Sequence, residues 1–251
     1  MGKMKIAAII QARMNSSRFP GKIKQIFETK TLLETCIDAV NRSNFVHKII
    51  IATTTNKEDD WIESFFKNCE NIFVFRGDEK DVLSRYVLSM KKHQIDIVVR
   101  ITADDPFKPP WLIDQLIRYV IDGKYDYASN TIEPTFPEGL DVEVFTSEAL
   151  LKADKFAKKN SEREHVTPYI WKNNSIFNCY SEIAESDLSW ARLTIDYKED
   201  LERLRKIWMY AGDLVYKKEF LDKLLIDNYL ITLAKSSKMR NEGYHISLKA
   251  D

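Results

Sequence analysis

Glycine is sparse in this chain, seven of 251 residues, and its scarcity removes two common phosphate cradles. No G-x-x-x-x-G-K-[ST] sequence is present, and no G-x-G-x-x-G fingerprint follows a strand. Cysteine is rarer still. Cys36, Cys69 and Cys179 are odd in number, far apart and without C-x-x-C spacing, which argues against a disulfide framework or zinc site and predicts reduced thiols. The four histidines, His47, His93, His165 and His245, are equally scattered. Neither sign of charge is in excess, since 38 basic residues balance 38 acidic ones; bulk nucleic-acid binding wants a basic surplus. Long apolar runs are also missing. No window approaches a membrane span, and the lead Met-Gly-Lys-Met-Lys is too short for a signal-peptide core. These absences predict a cytoplasmic protein with neither membrane nor nucleic acid as partner. Its length fits one large or two small domains with a sizeable core.

What is present begins at Ile6-Ala-Ala-Ile-Ile10, a continuous apolar run of the kind a strand buried on both faces shows. It stops at Gln11 and enters a loop with Ser16, Ser17, three cations (Arg13, Arg18, Lys22) and a Pro20-Gly21 turn. A buried strand feeding a cationic, hydroxyl-bearing loop suits a multiply charged anion at the strand's carboxyl end. Arginine offers bidentate phosphate contacts and lysine a point charge. The alternative is a solvated basic loop.

The chain then alternates. Apolar residues at Leu32, Leu33, Cys36, Ile37 and Val40 mark a helix; Lys48–Thr53 reads as a strand, and a helix follows from about Glu58. Ile72–Phe75 is strand, Val82 to Met90 helix, Asp96–Ile101 strand and Trp111–Ile121 helix, with Pro109 and Pro110 suited to its start. Such alternation implies an α/β fold with a mostly parallel sheet and right-handed crossovers, its ligands beyond the strands' carboxyl ends. Four strands end in binding chemistry: Arg13 to Lys22, Thr53 to Asn56, Arg76 to Asp78, and Asp104 with Asp105. After residue 121 shorter strands are expected at Tyr125–Asn130, Leu140–Phe145, Ile176–Tyr180 and Arg192–Ile195, with a helix at Glu148–Lys159. They suggest a small antiparallel extension completing a substrate pocket. The tail from Asp200 is mostly helical. Residues 1–251 thus read as one domain: a nucleotide-binding half (1–121), an acceptor-binding part (122–199) and a helical tail (200–251) whose apolar helices are candidates for a homodimer surface.

Some residues read two ways on spacing alone. Asp104 and Asp196 each follow a strand-like run; two such carboxylates can share one Mg²⁺ with phosphate oxygens and water. Each is also a plausible helix cap, and spacing favours that reading for Asp196. Asp141 and Glu143, two apart, would share one face of a strand, either solvent or pocket. His165 lies in a charged run and reads by itself as surface.

The ordered series Ile10-Gln-Ala-Arg-Met-x-Ser-x-Arg-x-Pro-Gly-Lys22, Ala52-Thr-Thr-Thr-Asn56, Phe75-Arg-Gly77, Asp81-Val-Leu-x-Arg-Tyr86 and Arg100-Ile-Thr-x-Asp-x-Pro106 carries a resemblance. It continues in Tyr127-x-Ser-Asn130, Gly139-Leu-Asp-Val-Glu-Val-Phe145, Ser161-Glu-Arg-Glu-His-Val-Thr-Pro-Tyr169, Leu193-Thr-x-Asp196 and Asn241-Glu-Gly-Tyr244. The series resembles the SpsF-like (spore coat polysaccharide) branch of the cytidylyltransferases, relatives of the CMP-KDO and CMP-sialic acid synthetases, and spans essentially the whole chain.

The resemblance implies a three-layer, Rossmann-like GT-A nucleotidyltransferase fold that transfers CMP from CTP to a sugar or small phosphorylated acceptor, releasing pyrophosphate. Arg13, Arg18 and Lys22 would be catalytic. Gln11, Ala12, Ser16, Thr53, Thr54, Asn56, Arg76, Asp81 and Arg85 would complete the nucleotide site. Tyr127, Asn130, Glu138, Asp141, Glu143 and His165 would line the acceptor pocket, and Asp104 and Asp196 would ligate Mg²⁺, reversing the spacing-based preference for a cap at Asp196. Two departures stand out: Asn15 replaces the family's glycine, and Asp105 replaces the cysteine of Thr-Gly-Asp-Cys-Pro. A GT-A glycosyltransferase and a catalytically silent nucleotide-binding subunit are the rival readings. The acceptor itself is left open.

Overall fold

β1 (Ile6–Gln11) is the spine of the sheet. Its residues alternate across two cores, Ile6, Ala8 and Ile10 facing one and Ala7 and Ile9 the other, as the two-residue strand period requires. Burial on both faces explains why the run is unbroken rather than alternating. The computed structural model describes residues 4–251; Met1 to Lys3, the first part of the amino-terminal lead, lie outside them.

After β1 come a two-residue hairpin, β2 (Ile26–Phe27) and β3 (Lys30–Thr31), and α1 (Leu32–Asn41). The hydroxyl of Thr31 accepts from the Glu34 amide and the Glu34 carboxylate accepts from the Thr31 amide, a reciprocal cap at the start of α1. Then follow β4 (Lys48–Thr54), α2 (Asp60–Phe66), β5 (Ile72–Gly77), α3 (Val82–His93), β6 (Ile97–Thr102) and α4 (Pro110–Asp122). The second half contains β7 (Tyr127–Ser129), β8 (Glu143–Thr146), α5 (Ser147–Phe156), α6 (Asn160–His165), α7 (Pro168–Trp171) and β9 (Cys179–Ser181). The tail is α8 (Lys198–Ala211), α9 (Glu219–Ile226), α10 (Asn228–Ala234) and α11 (Glu242–Leu248).

The seven-stranded sheet runs β5-β4-β1-β6-β8-β7-β9. β1 pairs in parallel with β4 and β6, and β4 with β5, whereas β8 runs antiparallel to both β6 and β7. Helices on both faces give the three-layer α/β fold expected, with β8 as its antiparallel insertion. The parallel strands β5, β4, β1 and β6 all end on one rim.

One expected strand is absent. Arg192–Ile195 forms no ladder, because its amides go to three different places: Arg192 to the Ala234 carbonyl (2.9 Å), Leu193 to Glu138 (2.6 Å) and Ile195 to Asp104 (3.0 Å). The segment is a stitch between the sheet and the tail. Strand Ile176–Tyr180 is also later and shorter than expected, at Cys179–Ser181. No helix among the described residues is long and apolar enough to cross a membrane.

Candidate active site

A cavity of about 770 Å³ opens at the rim where β1 and β6 end. One wall is the loop after β1. The Met14 amide donates to the Asp59 carboxylate (2.7 Å), and the Met14 carbonyl accepts from both Ser16 (3.0 Å) and Gly21 (2.8 Å). These bonds fold the loop back so that Ala12, Arg13, Ser16, Arg18 and Lys22 all line the cavity with Gln11. Gly21 supplies the left-handed turn, at φ 69°. Asp59 is itself held by the Thr54 hydroxyl, which gives that predicted residue a bracing role.

At the centre, three distant parts of the chain meet. The Lys22 ammonium donates to Asp104 (2.6 Å), to Asp196 (3.0 Å) and to the Ile195 carbonyl (2.9 Å). The Ile195–Asp104 backbone bond sets the two carboxylates side by side. Burial pushes the Asp104 carboxyl up, but the Lys22 charge and hydrogen bond outweigh it and leave it at about 2. Lys22 is opposed by burial too, and Asp104 and Asp196 raise it. Arg18 reaches Asp196 (2.5 Å) and Glu242 (2.7 Å). Among the described residues no three His, Cys, Asp or Glu side chains cluster as a metal cage. Two adjacent carboxylates that need substrate oxygens and water to complete a shell suit Mg²⁺.

Arg85 on α3 also lines the cavity. It is only 2% exposed, its Nε and Nη1 have no partner among the described residues, and burial lowers its pKa. Arginine stays cationic even so. A buried guanidinium without a carboxylate is costly unless a ligand completes it. Among the described residues Arg13 pairs only with Glu79, at 3.7 Å.

The opposite wall is acidic. Glu143 pairs with Arg100 and accepts from Tyr127 (2.7 Å) and Thr167. Glu138 pairs with Arg192, and Asp141 with Arg240 (2.7 Å). His165 shares a hydrogen bond with Ser247 (3.0 Å); burial, then the Arg100 charge, push it down to about 4. It belongs to the cavity and not to the surface, as reading the residue alone suggested.

Not every predicted site residue lines this cavity. Thr53 is buried away from it, and Asn56 is tied to Glu79 (2.9 Å). Arg76 donates to the carbonyls of Thr54 (2.9 Å) and Asn56 (2.8 Å) and pairs with Asp60 and Glu63. It ties the β4 and β5 loops to α2. Asp81 caps α3 and accepts from Nε and Nη2 of Arg163 (3.0 and 2.6 Å), fixing α6. Tyr127 and Asn130 stand behind the wall; Asn130 bonds the Leu140 carbonyl (3.1 Å) and the Val142 amide (2.8 Å).

The family model for cytidylyltransferases matches residues 7–228, nearly the whole of this architecture. The chain belongs to the cytidylyltransferase family. It is 39% identical to an uncharacterised protein of Methanocaldococcus jannaschii, over 88% of this chain and 91% of that one. It is 33% identical to the spore coat polysaccharide biosynthesis protein SpsF of Bacillus subtilis, over 83% and 88% of the two chains. A solved cytidylyltransferase from Leptospira borgpetersenii superposes with a TM-score of 0.84 at 32% identity, covering 94% of this chain and 99% of that one. A CMP-2-keto-3-deoxy-manno-octonic acid synthetase solved with CTP shares the fold (TM-score 0.62, 16% identity, 82% and 99% covered).

Both departures from the family pattern have structural answers in this cytidylyltransferase. Asn15 is not among the residues with positive φ, so this loop does not need glycine there. Asp105 is buried and accepts from Lys108 (2.7 Å) and the Thr102 hydroxyl (2.6 Å), so a local cation faces the added acid. Burial pushes it up to about 6 against the pull of Lys108. The largest omission from the sequence-based site is α11. Asn241, Glu242, Tyr244, Ile246 and Ser247 line the cavity, and Glu242 holds Arg18. The Asn241–Tyr244 motif was the available signal, but nothing in it says where the tail returns.

Proposed function

We propose that this protein transfers a cytidylyl group from CTP to an oxygen of a small acceptor and releases pyrophosphate. The observation that carries it is the meeting of Lys22, Asp104 and Asp196 at one point of a cavity that also holds the unpartnered Arg85. The family, and the solved CTP complex of a synthetase of the same fold, support CTP as the donor. The name of the Bacillus subtilis relative supports a place in surface polysaccharide or glycoconjugate assembly; a cytoplasmic setting belongs to the same proposal.

In this reading Arg13, Arg18, Arg85 and Lys22 bind and orient the triphosphate and offset charge on the leaving pyrophosphate. Asp104 and Asp196 hold Mg²⁺, which when bound neutralises phosphate charge and activates the α-phosphorus. Before substrate enters, Lys22 keeps those carboxylates together; Glu242 likewise holds Arg18. The acceptor oxygen attacks from the β8 side, where Glu138, Asp141, Glu143 and His165 stand.

Pyrophosphate release should be followed for the four ribonucleoside triphosphates with Mg²⁺ against an acceptor panel. CTP-dependent release is expected, and Arg85→Ala should weaken CTP binding about tenfold or more. Equal use of all four triphosphates, or sugar transfer without pyrophosphate, would sink this reading.

A further inference from the structure

Three segments of the chain meet around the active-site carboxylates. They are the turn after β6 with Asp104, the loop before β8 with Glu138 and Asp141, and the stitch that ends in Asp196; all three line the cavity. Two sides of this triangle are fastened by backbone. The Ile195 amide donates to the Asp104 carbonyl (3.0 Å), and the Leu193 amide to that of Glu138 (2.6 Å). The third side, between the Asp104 turn and the Asp141 loop, has no such bond. The antiparallel ladder of β6 and β8 stops at the Arg100–Glu143 pair, so the chain at Asp141 lies outside the sheet.

Lys108 closes that side. Its side chain is wholly buried and does not line the cavity. The ammonium donates to the Asp105 carboxylate (2.7 Å) and to the Asp141 backbone carbonyl (2.5 Å). The same Asp105 oxygen accepts from the hydroxyl of Thr102, the last residue of β6 (2.6 Å). Among the described residues, the Lys108–Asp141 bond is the only hydrogen bond that joins 102–108 to 138–142. The Asp141 carboxylate is meanwhile held from the tail, by Arg240 (2.7 Å). A buried ion pair adds little net stability over an apolar pair of the same volume. What the ammonium adds is direction, since its N–H bonds must point at both acceptors.

We infer that Lys108, oriented by Asp105, is a positioning residue that fixes the acceptor-side loop 138–141 against the Asp104 turn and so aligns the acceptor with the α-phosphate of CTP. This rests on the cytidylyl-transfer reading above and adds how the two halves of the site are kept in register. Lys108 acts through the Asp141 backbone and not on either substrate.

Lys108→Met alone leaves the Asp105 acid buried without its cation and should lower the urea midpoint of unfolding. Asp105→Asn/Lys108→Met removes both charges and should recover most of that loss. In this stability-matched double variant, without substrate, amide hydrogen exchange at 139–142 should run about tenfold faster than in the wild type, and change less than about twofold at 193–196. Pyrophosphate release is then followed with CTP, Mg²⁺ and an acceptor that the wild type turns over. The kcat of the double variant should fall about tenfold or more, with KM for CTP within about twofold. A double variant as unstable as Lys108→Met, or one with wild-type exchange at 139–142 or wild-type kcat, overturns the inference, because the pair would then serve the fold alone. A wild type that releases no pyrophosphate from CTP with any acceptor removes the underlying reading instead, and exchange at 139–142 still decides whether Lys108 holds the loop.

Discussion

Lys22 shows why a site residue's role depends on its neighbours more than on its own chemistry. Its position in the loop reads as a phosphate contact, and nothing local reveals that two carboxylates from residues 104 and 196 will hold it. Its side chain is 9% exposed, so the contact is largely shielded from water. Removing one member of such a pair leaves the others uncompensated, at a cost of about 3 to 5 kcal/mol when fully buried. Lys22→Met should therefore destabilise the protein by roughly 2 to 4 kcal/mol, the lower end because Asp104 is partly exposed. Millimolar Mg²⁺ should restore part of this by neutralising the same two acids. Turnover should fall about 100-fold even in saturating Mg²⁺. Denaturant titrations with and without Mg²⁺ check the first pair of claims, and pyrophosphate release checks the third. Unchanged stability without metal would show that the Lys22 cluster contributes nothing to the fold.

At the scale of elements, helices and parallel strands were legible because apolar periodicity and punctuation determine them locally. The stitch at 192–195 was not. Its apolar residues look like a strand, yet its partners lie in a loop, in the Asp104 turn and in the tail. Gly139 makes the stitch possible. It sits at φ 101°, and a Cβ there would come within 2.5 Å of the Leu193 carbonyl carbon and 2.6 Å of its oxygen. Both atoms are backbone and cannot swing aside. Gly139→Ala should cost about 2 to 4 kcal/mol. Since Asp196 follows Leu193 by three residues, the variant should also need more Mg²⁺ for half-maximal activity. Chemical denaturation and a Mg²⁺ titration of turnover would show both effects; a silent Gly139→Ala would mean that the close approach is not maintained in solution.

For the whole molecule, layering and rim were readable from strand–helix alternation, while the arginines behind the acidic wall and the return of α11 were not. Both depend on contacts across 50 to 100 residues or more, such as Arg192 with Glu138, Arg240 with Asp141 and Ser247 with His165. Such packing gives two buried groups opposite responses to acid. His165 is pushed from 6.5 down to about 4. Between those values the unfolded chain binds the proton that the folded protein refuses, so stability falls as pH drops from 6.5 to 4. Asp105 is pushed from 3.8 up to about 6. Across that interval the folded protein binds more protons, so this group's share of stability rises as pH drops from 6 to 4. The two slopes oppose each other. Asp104, lowered to about 2, adds a loss only below about pH 4, as its unfolded-state carboxyl takes up a proton first. The wild type should thus show a shallow dependence from pH 6 to 4 and a steep loss below. His165→Gln removes one opponent, and the remaining Asp105 contribution should make that variant gain stability relative to its own pH 6.5 value as pH falls to 4. Unfolding free energies in urea at half-unit pH steps would read this, with the His165 ring resonances followed by NMR alongside. A ring that titrates near 6.5 would mean that α11 does not bury it, and the difference in slope between the two proteins would then disappear.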